Sequence, residues 1–267
     1  MQIVPSGKSI GARVTGIDLA QPVDAALQKK LYDAVVENVV LVIREQAHLT
    51  SAQVQAAGEL FGELMEDQNR RYLVDGHPLI SVLDNRHLDS TGQPAKVGKN
   101  STWHTDHTNQ ERPPKFTMLY AVAVPDKGGA TSVCNSRAAY NALPEDYRAK
   151  ITPMKTENTL ISSARFKIAN PDILKSQLES KKPPTVQPLV RTHPESGTKA
   201  VWFHKSKTEK IIGMTPEDTQ DFLQDLFAGL PVRQGLIIQP NSVQNHIRCQ
   251  GIQVVRHHVP PTADQCP

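Results

Sequence analysis

Residues 100–133 read NSTWHTDHTNQERPPKFTMLYAVAVPDKGGATSV and combine polar, potentially metal-binding side chains with an apolar strand pattern. His104 and Asp106 are separated by one residue, so in an extended segment both side chains leave the same face and can hold one ion. An imidazole and a carboxylate suit a divalent transition metal, and a facial Fe(II) site needs a second histidine from elsewhere. The same triplet is also compatible with a solvated loop whose polar groups cap one another.

The composition is that of a soluble globular protein. The chain has 267 residues, of which 38% are hydrophobic and 21% charged, and we expect a single domain over 1–267. The net charge of +3 comes from scattered basic residues, so we expect no nucleic-acid partner. No signal-peptide pattern opens the sequence and no apolar run approaches a membrane span, which favours a cytoplasmic protein without a membrane partner. The three cysteines show no CxxC pairing, so a metal would need histidine and carboxylate ligands.

Three segments have the periodicity and capping residues of helices. The segment VDAALQKKLYDAVVENVVLVIRE predicts a helix followed by a buried strand at 39–43. Thr50 and Gln53 have the spacing of a capping box for a second helix over 51–61. MTPEDTQDFLQDLFAGL predicts a third helix with Thr215 as its N-cap.

From residue 79 onward, short apolar runs alternate with turn residues, which predicts an antiparallel β core. The runs are LISVLD, FTMLYAVAV, ATSV, KAVWF, GLIIQ and GIQVV. Residues 150–190 are rich in Lys, Ser and Pro with weak periodicity, so they are interpreted as an insertion or lid. The fold class is therefore mixed α+β and mainly β.

The central stretch resembles the signature of the taurine dioxygenase/TfdA family of Fe(II)- and 2-oxoglutarate-dependent oxygenases. The shared features are WHxD, Pro-Pro, an apolar strand and a GG-x-T turn. Further family landmarks occur in order over about residues 8–230: GARVTGIDLAQPV, VVLVIRE, FGEL, HPESGTKAVWF and IIGMTPED. The resemblance implies a jelly-roll core, the double-stranded β-helix, to which the sequence pattern adds flanking helices and the lid insertion.

The same resemblance implies three protein ligands for the iron. His104 and Asp106 match two of them, and His246, five residues after Asn241, matches the distal histidine. His257 and His258 are alternatives, of which at most one can serve because adjacent residues on a strand point to opposite faces. The absence of a working third ligand also stays open.

Thr131 and Arg256 match the family residues that hold the far carboxylate of 2-oxoglutarate. A guanidinium fork pairs with a carboxylate, and a hydroxyl adds a further donor.

Four residues are predicted to contact the substrate: Asn100, Trp103, Asp67 and His107. For His107, a loop histidine bonded to the backbone is the alternative. The remaining histidines are assigned structural or solvent-facing roles: His48, His77, His87, His193 and His204.

The charge of the substrate is left open by the loop after FGEL. Glu66 and Asp67 favour an amino group, whereas Arg70 and Arg71 favour an acid.

Taken together, these features predict a dioxygenase that uses Fe(II), 2-oxoglutarate and O2 to oxidise a small molecule, with release of succinate and CO2. Hydroxylation is the simplest outcome. The alternatives are a catalytically impaired sensor and a metal-dependent hydrolase on the same ligands. The resemblance further implies a homo-oligomer, a dimer or a tetramer.

Overall fold

The computed structural model describes most of the chain, namely residues 1–66, 72–84, 103–123, 131–160, 162, 183–229, 236–238 and 248–255. Several residues with predicted roles lie outside these ranges: Asp67, Arg70, Arg71, His87, Asn100, His246 and Arg256, together with the alternative ligands His257 and His258. None of the helices in the described ranges has the length and apolar character that crossing a bilayer requires.

The N-terminal part forms a small three-stranded sheet with one helix. Its elements are β1 (Gln2–Pro5), β2 (Ala12–Thr15), α1 (Ala25–Asn38) and β3 (Leu41–Ile43). β1 and β2 are antiparallel, whereas α1 carries the chain across so that β3 runs parallel to β2. The predicted helix and strand are confirmed, but the prediction that 39–43 is buried is wrong. β3 is half-buried because it is an edge strand paired only with β2 in this sheet.

Helix α2 (Ser51–Glu59) begins at the predicted capping box. The Thr50 hydroxyl accepts a hydrogen bond from the Gln53 N–H at 3.3 Å, and the Gln53 side chain accepts one from the Thr50 N–H at 2.9 Å. Two N–H groups that the first turn would leave unpaired are thereby satisfied. The helix then buries Val54 completely against the main sheet.

The main sheet is antiparallel, as predicted, and has five strands in the described ranges. They are β4 (Glu63–Met65), β5 (Leu73–Val74), β6 (His77–Asp84), β7 (Phe116–Ala123) and β15 (Arg248–Val255). β15 pairs with β7 along one edge and with β6 and β4 along the other. Strand β7 therefore connects the segment that contains His104 and Asp106 to the C-terminal strand of the sheet.

The remaining strands form three smaller antiparallel groups. These are β8 (Thr131–Val133) with β14 (Leu236–Ile238), β9 (Lys155–Asn158) with β10 (Thr185–Pro188) and β13 (Thr208–Ile211), and β11 (Val190–Thr192) with β12 (Lys199–Val201). Three helices accompany them: α3 (Ser136–Asn141), α4 (Glu145–Ile151) and α5 (Pro216–Gly229). The third predicted helix is confirmed as α5, and the Thr215 hydroxyl accepts from the Asp218 N–H at 3.1 Å.

The segment 150–190 is more ordered at its ends than the interpretation as a lid implied. β9 and β10 lie inside it and pair with each other, with Val186 opposite Glu157. Residues 163–182 between them lie outside the described residues. The lid stays a prediction, restricted to the residues between these two strands.

Many of the buried apolar residues in the described ranges form two clusters. The first, the sheet core, lies between α2 and the main sheet and consists of Leu49, Val54, Leu64 and Ile80. The second, the helical core, consists of Ala139, Tyr140, Leu143, Ile151, Leu189, Val190, Val201, Ile211, Leu223 and Leu226. The candidate site lies on a segment that contacts elements from both.

Candidate active site

His104 and Asp106 lie on the short segment that precedes β7, and their side chains meet. His104 forms an isolated antiparallel bridge with His204, and the Thr105 N–H donates to the Phe203 carbonyl at 3.3 Å, so this part of the segment is extended. The Nε2 atom of His104 and the Oδ1 atom of Asp106 are 3.3 Å apart. The two side chains are 36% and 38% exposed, which leaves both accessible to a ligand.

The carboxylate of Asp106 has a second partner on β7. The hydroxyl of Thr117 donates to Oδ2 of Asp106 at 2.9 Å. The hydrogen bond with His104 lowers the pKa of Asp106 far below its ordinary value, Thr117 lowers it further, and burial opposes both. Asp106 is therefore a carboxylate at neutral pH, the form that binds a metal.

The pair fits a divalent ion. Donor atoms in adjacent positions of an octahedral site, each about 2.1 Å from the ion, are roughly 3 Å apart. The observed separation of 3.3 Å between Nε2 and Oδ1 is close to that value. Imidazole and carboxylate also form part of the donor set of non-haem Fe(II) oxygenases. Among the described residues, no three His, Cys, Asp or Glu side chains are grouped so that they could hold a metal ion. The predicted third ligand, His246, is not one of the described residues.

His204 lies beside this pair, although its spacing in the sequence did not place it there. Its ring centroid is 4.9 Å from that of His104, with 40° between the planes. Its Nδ1 accepts a hydrogen bond from the Ser206 N–H at 3.2 Å. Burial, followed by the charges of Lys207 and His104, lowers the pKa of His204 to about 3, so the ring is neutral. The sequence feature that could have indicated this location is that His204 directly follows the family landmark HPESGTKAVWF, which ends in a strand run.

His107 begins a turn rather than continuing the extended segment. Its φ is +52°, it is buried, and its carbonyl accepts from the Gln110 N–H at 3.0 Å. The extended segment therefore ends before His107, because the chain reverses direction before β7. Its contact with substrate stays a prediction.

Side chains from β10 and from Lys207 hold the turn that follows Asp106. The Thr185 hydroxyl donates to the Asn109 carbonyl at 3.0 Å, and the Gln187 amide donates to the Gln110 carbonyl at 2.7 Å. The ammonium of Lys207 donates to Oδ1 of Asn109 at 3.2 Å. These bonds fix the backbone next to the candidate ligands.

Two other predicted site residues are described. Trp103 is partly buried, and its ring centroid is 6.5 Å from that of Phe227 on α5. Thr131 is exposed at the start of β8, and it is paired with Ile238 of β14. β14 is the strand that precedes His246 in the sequence, while β15 ends at Val255, directly before Arg256.

Comparison with known proteins identifies the family of this chain. The model of the family described as taurine catabolism dioxygenase TauD, TfdA family matches residues 2–230. The chain belongs to this family. It is accordingly an oxidoreductase of the alpha-ketoglutarate-dependent dioxygenase class, which uses Fe(II), 2-oxoglutarate and O2.

Three relatives show the range of the similarity. The chain is 28% identical to an alkylsulfatase from Acinetobacter baylyi over 79% of its length and 65% of that protein, slightly under two thirds. It is 30% identical to an alpha-ketoglutarate-dependent sulfate ester dioxygenase from Pseudomonas putida, over 82% and 71% of the two chains. It is 32% identical to an alpha-ketoglutarate-dependent 2,4-dichlorophenoxyacetate dioxygenase from Cupriavidus pinatubonensis, over 75% and 72%.

Two solved structures share the fold. A putative alpha-ketoglutarate-dependent taurine dioxygenase from Burkholderia xenovorans superposes with a TM-score of 0.74 at 22% identity, over 96% of this chain and 93% of that one. AAD-2 in complex with Mn(II) and N-oxalylglycine superposes with a TM-score of 0.72 at 23% identity, over 97% and 93%. The likeness supports the predicted jelly-roll core.

Proposed function

We propose that this protein oxidises a small organic anion, most simply by hydroxylation, and that His104, Asp106 and His246 are its iron ligands. The observation that carries the proposal is the 3.3 Å approach of His104 Nε2 and Asp106 Oδ1, with the other carboxylate oxygen bonded to Thr117. When bound, iron and 2-oxoglutarate supply the oxidation of a C–H bond by O2, with release of succinate and CO2. The chain binds and orients the reactants and excludes water.

The binding of 2-oxoglutarate is assigned to Thr131 and Arg256. Thr131 is exposed at the start of β8, and a threonine hydroxyl can donate a hydrogen bond. β15 runs beside β7 with Gln253 opposite Thr117, so the strand that ends just before Arg256 passes the residue bonded to Asp106. A guanidinium and a hydroxyl together suit the far carboxylate of the cosubstrate.

The substrate is proposed to have an anionic group and an apolar body. The named substrates of the two dioxygenase relatives above, a sulfate ester and 2,4-dichlorophenoxyacetate, are both anions with an organic body. Leu119 lies two residues beyond Thr117 on the same face of β7 and is 50% exposed, so it offers apolar surface beside the ligand pair. Trp103, against Phe227, offers a second apolar surface.

The first experiment follows cosubstrate binding without turnover. Anaerobic protein is mixed with Fe(II) and then 2-oxoglutarate, and the weak visible charge-transfer band of a chelated 2-oxo acid is measured. The band is expected in the wild type, absent in His104→Ala and His246→Ala, and shifted to higher 2-oxoglutarate concentration in Arg256→Ala. The control His48→Ala removes a surface histidine paired with Asp18 and keeps the band.

The second experiment supplies O2 and a panel of small sulfate esters and aryloxy carboxylates, with succinate as the readout. Succinate formation that depends on O2 and is stimulated by a panel member supports the proposal. The absence of both band and succinate at saturating iron and 2-oxoglutarate would overturn it. Product release that continues without O2 would point to hydrolysis instead.

A further inference from the structure

We infer that Thr117 is the positioning residue of Asp106. Its hydroxyl donates a hydrogen bond to Oδ2, so Oδ1, which lies beside His104, is the oxygen that binds the metal. The inference rests on the proposed metal site and gives a role to a residue of the run FTMLYAVAV that the sequence motifs did not single out. Thr117 follows Asp106 by 11 residues and reaches it only because the chain turns back before β7.

The two carboxylate oxygens have different partners, which is the observation behind the inference. Oδ2 accepts from the Thr117 hydroxyl at 2.9 Å, whereas Oδ1 lies 3.3 Å from Nε2 of His104. A carboxylate with one oxygen already bonded is held in one rotational setting. It then presents a single oxygen to an ion, so it occupies one coordination position and leaves others for the cosubstrate and O2.

The backbone at Thr117 is held from several directions, which gives the hydroxyl a fixed position. Phe116 packs edge-on against Tyr32 of α1 and against Phe61, with ring centroids 5.9 and 6.1 Å apart. On the other side of β7, the backbone pairs with β15, with Gln253 opposite Thr117.

The residue before Phe116 adds an ion pair to this anchor. The Lys115 ammonium pairs with Glu195 in the turn between β11 and β12, and it lies 4.4 Å from the centroid of the Tyr32 ring. The Tyr32 hydroxyl donates to the same Glu195 carboxylate at 2.8 Å. The start of β7 is thus tied to a helix and a hairpin, so Thr117 cannot shift without disturbing both.

The test compares variants that differ in the hydroxyl while keeping a β-strand residue. Thr117→Val removes the hydroxyl at nearly constant shape, and Thr117→Ser keeps it. Thr15→Val makes the same change at the end of β2, in a different sheet, and serves as the matched control. Binding of Mn(II) to the metal-free protein is followed by the loss of the electron paramagnetic resonance signal of the free ion, which needs no turnover.

We expect Thr117→Val to bind Mn(II) about tenfold more weakly, because loss of a partner of a ligating carboxylate costs about 10–100-fold in metal affinity. The Mn(II) affinities of Thr117→Ser and Thr15→Val should stay within about twofold of the wild-type affinity, which is a smaller change than the loss of such a partner causes. The visible spectrum of the Co(II) complex should also change in Thr117→Val and be preserved in Thr117→Ser.

The outcomes separate this inference from the proposed function. Wild-type protein that does not bind Mn(II) overturns the metal site and the inference together. A wild type that binds, with Thr117→Val equal to it in affinity and Co(II) spectrum, overturns only the role of Thr117. If circular dichroism shows that Thr117→Val does not fold, Thr117→Ala replaces it in the comparison with Thr117→Ser, and the same criteria apply.

Discussion

At the scale of single residues, the site combines a pair that sequence spacing predicts with partners that it does not. The HxD spacing predicted that His104 and Asp106 could act on one ion, because alternate residues of an extended segment share a face. Thr117 and His204 could not be predicted in the same way. Thr117 reaches the pair because the chain reverses direction before β7, and His204 reaches it through an isolated β-bridge. Neither feature leaves a recognisable pattern in a short stretch of sequence.

His204 offers a test of what holds the His104 ring. The two rings lie 4.9 Å apart, and the His204 ring is neutral, so Phe can replace it without loss of a charge. We expect His204→Ala to weaken Mn(II) binding several-fold, because His104 loses the ring that packs against it. His204→Phe should retain most of the affinity. Equal weakening in both variants, measured by the same Mn(II) titration, would show that a ring nitrogen of His204 matters instead.

Asp18 gives a pH-dependent contribution to stability. The Ala20 N–H and then His48 lower the pKa of the Asp18 carboxyl, so its folded pKa lies below the unfolded value of about 3.9. Its stabilising effect is therefore fully present above the unfolded pKa and is lost as the pH falls through the folded one.

Asp18→Asn should consequently be less stable than the wild type at pH 7, with the difference shrinking below about pH 4. Urea unfolding at pH 7 and pH 3 measures this directly. A stability difference that is the same at both pH values would contradict the assignment.

At the scale of elements, an apolar pocket of about 330 Å³ lies between α1, β3, α2 and β7. Val35 of α1 is 9% exposed and lines this pocket. One added methylene that becomes buried there contributes about 0.8 kcal/mol. Val35→Ile keeps the β-branched shape, so we expect it to raise the free energy of unfolding by about that amount.

The matched control is Val201→Ile in the helical core, where Val201 is 4% exposed and does not line the pocket. Extra volume in a packed core costs about 1–3 kcal/mol, so this variant should be destabilised. Denaturant unfolding of both variants measures the two changes. Stabilisation of Val201→Ile, or destabilisation of Val35→Ile, would show that the two sites are not packed as described.

The elements that the sequence predicted are those whose signals are local. The capping residues of α2 and α5, and the apolar runs that became β6, β7, β8, β12, β14 and β15, are all visible in short windows. The half-burial of β3 was missed, and so were the strands β1, β2, β4, β5, β9, β10, β11 and β13 and the short helices α3 and α4. The burial of β3 and the formation of the short strands depend on which strand lies alongside, and pairing is set by residues far away in the sequence.

At the scale of the whole molecule, the two cores are joined through the site segment. The turn after Asp106 is held by Thr185 and Gln187 of β10 and by Lys207, while β7 packs with the sheet core. We therefore predict that the protein unfolds as one cooperative unit, in agreement with the single domain expected over 1–267. Cooperative unfolding makes a defect in either core visible to every probe.

Leu223→Ala in the helical core and Ile80→Ala in the sheet core test this prediction. Both side chains are fully buried, so each truncation should cost about 2–5 kcal/mol. In each variant, tryptophan fluorescence and circular dichroism should report one transition at the same midpoint. Two transitions, with each variant shifting only one, would show that the cores unfold independently.

The long-range bonds to the turn after Asp106 have a consequence for how the protein is made. Asn109 is bonded to Thr185 and Lys207, which follow it by 76 and 98 residues. A ribosome adding about 5–20 residues per second needs roughly 5–20 s to extend a chain by ~100 residues. During that interval the nascent chain has emerged with its histidine and carboxylate but without the groups that set their geometry. We therefore expect iron to be acquired late in synthesis or after release.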